Sequence, residues 1–103
     1  MTQAELFAIL KTIGLPITYY QWETPPALPY LVYLMTDTAN FGADNKVYTG
    51  ATNYNIELYA NKKDPASEKL VEGLLNSNDI FWDKTEVYID TERMFQVTYS
   101  ITI

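Results

Sequence analysis

The chain has 103 residues, 48% hydrophobic and 15% aromatic, which is enough apolar material to close one core and make one domain. Thirteen acidic against seven basic side chains leave a net charge of −6, with Arg93 the lone arginine, so a basic groove for nucleic acid is excluded. Neither cysteine nor histidine is present. Disulfide frameworks, thiolate metal sites and imidazole acid-base chemistry are thereby excluded, and the thiol-free composition fits folding in a reducing cytoplasm.

The opening MTQAELFAILKTIG reads as a helix rather than a secretory leader, because Glu5 interrupts the apolar run and no basic leader or small-residue cleavage pattern is present. Thr2 and Glu5 have capping-box spacing, and Leu6, Ile9, Leu10 and Ile13 form one apolar stripe. Gly14 stops the helix and Pro16 prevents its continuation. Residues 17–22 then read as a short strand rich in β-branched and aromatic side chains.

Pro25, Pro26 and Pro29 break any ladder across residues 23–29, giving an extended connection with polyproline character. Residues 29–36 form a strand apolar on both faces, which predicts cover on both sides or a place at a subunit interface. The longest apolar run, residues 28–35, is far short of the roughly 20 needed to span a bilayer. Residues 36–46, TDTANFGADNK, gather turn-forming side chains and predict a mobile loop. Counting from Asp37 puts Ala39 and Phe41 where a calcium loop needs oxygen ligands, so the spacing argues against calcium.

A short strand at residues 47–48 is followed by a turn-like break and a strand at residues 53–61. There Tyr54, Ile56, Leu58 and Ala60 face one side. Asp64 then serves as N-cap and Pro65 as first residue of a second helix, with Leu70, Val71, Leu74 and Leu75 as its core stripe. The C-terminal quarter predicts a hairpin of residues 81–89 and 94–103, with Phe95, Val97, Tyr99, Ile101 and Ile103 on one face and uncharged polar residues on the other. A face without lysine is poorly protected against pairing with another chain. The order is α-β-β-β-β-α-β-β: an α+β fold, a mostly antiparallel sheet with two helices packed on one face.

Little in the chain carries chemistry. Asp83, Glu86, Asp90 and Glu92 cluster in the hairpin and could in principle form a carboxylate pair, but Glu86 and Asp90 fall in the outward register and Glu92 in the turn. Ser67, Ser77 and Ser100 lie outside any nucleophile elbow and lack a histidine to activate them. No Walker loop, GxGxxG run or HExxH is present, so no enzyme, no cofactor and no metal is expected. The nine tyrosines and two tryptophans suit a core and also contacts between subunits, with Trp22, Tyr59, Trp82 and Tyr88 the candidates for such contacts.

The segments ALPYLVYL, NFGADNKVY, YNIELYANKKDP and TEVYIDTERMFQVTYSITI, in that order, resemble a family of small tail-completion proteins of siphophages and prophages of Gram-positive bacteria. The resemblance implies a virion protein: a tail terminator or head-tail joining subunit, folded in the host cytoplasm and closing into a ring of six at the head-proximal end of the tail. Its partners would be itself, the major tail tube protein and a head-neck connector protein, without direct nucleic-acid or membrane contact. A loop that orders on joining is implied as well, and Asp37, Asn40, Phe41 and Asp44 are its candidate contacts. The alternative is an acidic protein-binding adaptor domain of bacterial or prophage origin, supported by the charge of −6.

Overall fold

A computed structural model describes residues 1–43 and 45–103. The elements in chain order are α1 (Gln3–Lys11), β1 (Ile17–Tyr19), β2 (Tyr30–Thr38), β3 (Phe41–Ala43), β4 (Lys46–Thr49), β5 (Thr52–Ala60), α2 (Pro65–Ser77), β6 (Trp82–Ile89) and β7 (Met94–Thr102). Five strands form one sheet in the order β1-β2-β5-β7-β6, antiparallel except where β1 runs parallel to β2, and β3 pairs with β4 in a separate ribbon. This is the expected α+β architecture of two helices and a mostly antiparallel sheet. Among the described residues no helix is long and apolar enough to cross a membrane.

Both helix starts follow from their capping residues. Thr2 Oγ1 accepts from the Glu5 amide at 3.1 Å while Glu5 Oε1 accepts from the Thr2 amide at 2.9 Å, satisfying two orphan donors reciprocally. The bond from the Thr2 amide to its charged form is the chief cause that holds the Glu5 carboxyl below its ordinary range. Replacing Thr2 with alanine is expected to fray the first turn of α1 at a cost of about 1 kcal/mol, measured by chemical denaturation. After α1, Gly14 adopts a φ of +89°, which turns the chain toward β1. Asp64 caps α2, accepting from the Ser67 amide and hydroxyl, and those bonds keep its carboxyl low.

The registers line up the core. Across the sheet, Leu31, Leu58 and Val97 stand side by side, then Tyr33, Ile56 and Tyr99, then Tyr54 and Ile101. Leu6 and Leu10 of α1 and Val71 and Leu75 of α2 close over this face, and all four are fully buried. Phe7 stacks on Tyr33 at 5.7 Å. Leu70, expected in the α2 stripe, is instead 52% exposed. The helix meets the sheet on the line of Val71 and Leu75, and Leu70 lies one residue, or about 100°, round from it.

Two expectations about the chain's middle need correction. β1 ends at Tyr19, not at residue 22, because Tyr20 takes a left-handed φ of 71° and turns the chain out of the sheet. The segment 36–46 is not a loop throughout: β2 runs on to Thr38, opposite Thr52, and after two further residues β3 starts at Phe41. β7 makes its last bonds to β5 at Thr52, which exchanges two backbone hydrogen bonds with Ile103. Beyond that row the chain continues as a two-stranded arm. The apolar second face of β2 is covered within the chain, since Trp22 packs edge-on against Tyr30 at 6.0 Å.

Candidate functional site

Three groups of side chains come together. The first lies between α2 and the edge strand. Alternation along β6 sends Trp82, Lys84, Glu86 and Tyr88 to the helix-covered face and Asp83 and Thr85 to the other. Lys84 Nζ sits 3.0 Å from Glu68 Oε1 and 2.8 Å from Glu72 Oε2, and Lys63 Nζ sits 2.7 Å from Glu68 Oε2 and 2.6 Å from Glu86 Oε1. Tyr99 Oη donates to Glu72 Oε2 at 2.8 Å.

Glu68 is 3% exposed. Burial alone would push its carboxyl up, but hydrogen bonds and charge from Lys63 and Lys84 together outweigh that and hold it below its ordinary value. Both ammonium groups are raised, Lys63 chiefly by Glu68 and Lys84 chiefly by Glu72. The Tyr99 hydroxyl is driven strongly upward by burial and by its bond to Glu72. The two lysines between them engage all three carboxylates, so the group clamps helix to sheet. Asp83 and Glu86, the pair considered for hydrolysis, lie on opposite faces of β6 and cannot cooperate across one bond. Glu86 is not in a solvated outward register: it faces the helix side and pairs with Lys63. Among the described residues no group of three or more potential ligands could hold a metal ion.

The second group is the arm. Asp37 Oδ1 accepts from Asn53 Nδ2 at 2.8 Å and from Thr36 Oγ1 at 3.1 Å, and Asn40 Oδ1 accepts from the Ala51 amide at 3.1 Å. These two side chains therefore tie the base of the arm to β5 and to the chain just before it. Phe41, by contrast, is 68% exposed. Asp44 lies outside the described residues.

The third group is a hollow on the sheet face away from the helices, lined by Trp22, Tyr30, Tyr59, Ile89, Glu92 and Met94 among others, with a volume of about 310 Å³. Tyr30 packs on Tyr59 at 5.2 Å, and Tyr59 Oη donates to Glu57 Oε1 at 2.9 Å. Burial, followed by that bond, pushes the Tyr59 hydroxyl well above its ordinary value. The structure thus unites Trp22 with Tyr59 and keeps both apart from Trp82 and Tyr88 on the other face. Trp82 is engaged inside the protein, edge-on to Tyr99 at 5.6 Å with its Nε1 donating to Asn76 Oδ1 at 2.9 Å. Tyr88 packs against Phe95 at 4.8 Å and remains 47% exposed.

No protein-family model matches the chain, and no curated protein matches its sequence. Sequence reasoning passed over Glu68, Lys84 and Tyr30. The signal for the first two was available: Glu68 and Glu72 are four apart on a helix, and Lys84 and Glu86 share the face of Trp82.

Proposed function

We propose that the chain is a tail-terminator subunit of a tailed bacteriophage, closing into a ring of six on the last ring of the tail tube, ending its growth and meeting the head-neck connector. One observation carries the reading. The arm beyond Thr52 is anchored at its base by Asp37 and Asn40 and presents Phe41 at 68% exposure, an aromatic anchor without cover. An arm that meets a different surface of the next subunit makes a head-to-tail contact, and such contacts close into rings when the rotation per subunit allows. The composition supports assembly over catalysis, and the resemblance of segment order to tail-completion proteins supplies the place.

Replacing Phe41 with serine is expected to leave the circular dichroism spectrum unchanged. It should weaken the contact between subunits by about 2 kcal/mol, the size of an aromatic hot spot, read by light scattering with and without tail tubes. A phage lacking the gene should make overlong tubes and few joined particles under the electron microscope. Tails of normal length and normal infectious yield would overturn the proposal.

A further inference from the structure

We propose that the hollow formed by Trp22, Tyr30, Tyr59 and Glu92 is a recognition pocket for a lysine or arginine side chain presented by an extended segment of a partner polypeptide. This goes beyond the tail-terminator reading and does not depend on it. The hollow of about 310 Å³ is at the lower end of ligand pockets and has room for one long side chain. Its lining is aromatic: the Trp22 and Tyr30 rings meet edge-on at 75°, forming a corner, and Tyr59 packs on Tyr30 at 5.2 Å with an interplanar angle of 32°. A ring face left open to the hollow attracts a cation through its quadrupole.

Charge points the same way. The residues lining the hollow include Glu92 and no lysine or arginine, and Glu57 lies next to it, bonded to Tyr59. The Tyr30 hydroxyl is raised by burial and then by the Glu92 charge, so the field of that carboxylate reaches the aromatic wall. A chain of net charge −6 also draws a basic segment in from a distance. A polypeptide is favoured over a free amine by a further feature. Trp22 Nε1 is buried with no hydrogen-bond partner among the described residues, an arrangement that costs stability, and a segment that shifts the Trp22 ring on entry and offers a backbone carbonyl beside its basic side chain restores the bond.

The test uses the indole signals. The chain has two tryptophans, so a nitrogen-proton spectrum holds two indole peaks, assigned with Trp82→Phe. The probes are acetyl-Ala-Arg-Ala-amide and the same peptide with citrulline, which keeps the shape and removes the charge. The arginine peptide is expected to move the Trp22 peak saturably and leave Trp82 still, while the citrulline peptide binds about fivefold more weakly or worse. Glu92→Gln, a change at an exposed position, is expected to weaken the arginine peptide by about fivefold and leave the citrulline peptide unaffected. Equal binding of the two peptides would mean a merely apolar site and overturn the proposal. So would movement of Trp82 alone, no movement of either peak up to about 10 mM peptide, or a Trp22 peak that shifts with protein concentration in the absence of peptide, which would assign the hollow to a second copy.

Discussion

Changing Tyr99 to alanine is expected to remove about 3 to 5 kcal/mol of folding stability, read as a fall in the denaturation midpoint at unchanged slope. Tyr99 is fully buried on β7, between Ile56 of β5 and Lys84 of β6, with Trp82 edge-on to its ring. Truncation leaves a cavity under α2 and strands Trp82 without its ring partner. Tyr99→Phe separates packing from hydrogen bonding: the ring stays, the bond to Glu72 goes, and the expected loss is about 1 kcal/mol. The hydroxyl carries a pH signature too. Its pKa is raised in the folded state, so its contribution is complete below about pH 10, the unfolded value, and is lost as pH rises above that. Tyr59 acts in the same sense. Alkaline titration followed by tyrosinate absorbance should show both residues ionising only as the protein unfolds, and Tyr99→Phe should flatten the stability loss above pH 10.

What the sequence disclosed follows from which physical rules are local. Capping at Thr2 and Asp64 and alternation along β5 and β7 depend on residues a few positions apart, and each is found where expected, while α1 ends at Lys11, short of the stop expected at Gly14, which lies in the turn that follows. The arm was misread because Asp37 and Asn40 are turn-formers by composition, yet here their side chains bond to Asn53 and Ala51 across the hairpin. No local rule announces a partner 11 or 16 residues away. The aromatic hollow escaped for the same reason. Trp22 and Tyr59 were each singled out, but their meeting requires the β2–β5 register and the turn at Tyr20 that folds the intervening segment back over Tyr30.

The arrangement of charge also bears on how the molecule meets others. β6 is a full-length edge, yet its helix-side face carries Lys84 and Glu86, both engaged with α2 or Lys63. Inward-pointing charges on an edge strand discourage another strand from pairing there, since pairing would desolvate them. The open face of the sheet bears Asn53, Asn55, Thr98, Ser100 and Thr102 beside Glu57 and Asp83, and two pairs of the uncharged side chains bond across strands, Ser100 to Asn55 and Thr102 to Asn53. Strand pairing is thus discouraged along β6, while the arm presents the exposed ring of Phe41.

The guard has a measurable asymmetry. Lys84→Met removes one of the two cations that hold buried Glu68 and is expected to cost about 2 kcal/mol; a fully buried broken pair costs about 3–5, and Lys84, with 36% of its side chain exposed, falls below that range. Adding Glu68→Met removes the stranded carboxylate. The double variant should return to within about 1 kcal/mol of the parent, since an apolar pair replaces an ionic one at similar volume, and Lys63 keeps Glu86. The pH profile distinguishes this from simple repacking. Glu68 has a folded pKa below its unfolded one, so its contribution is present above about pH 4.3 and is lost as pH falls through the folded value. The parent should therefore weaken steeply in acid, and the double variant should lose that part of the slope while matching the parent near neutrality. A double variant weaker than Lys84→Met alone would mean that the clamp owes its worth to attraction between the charges, and not to the cost of leaving one of them buried and unpaired.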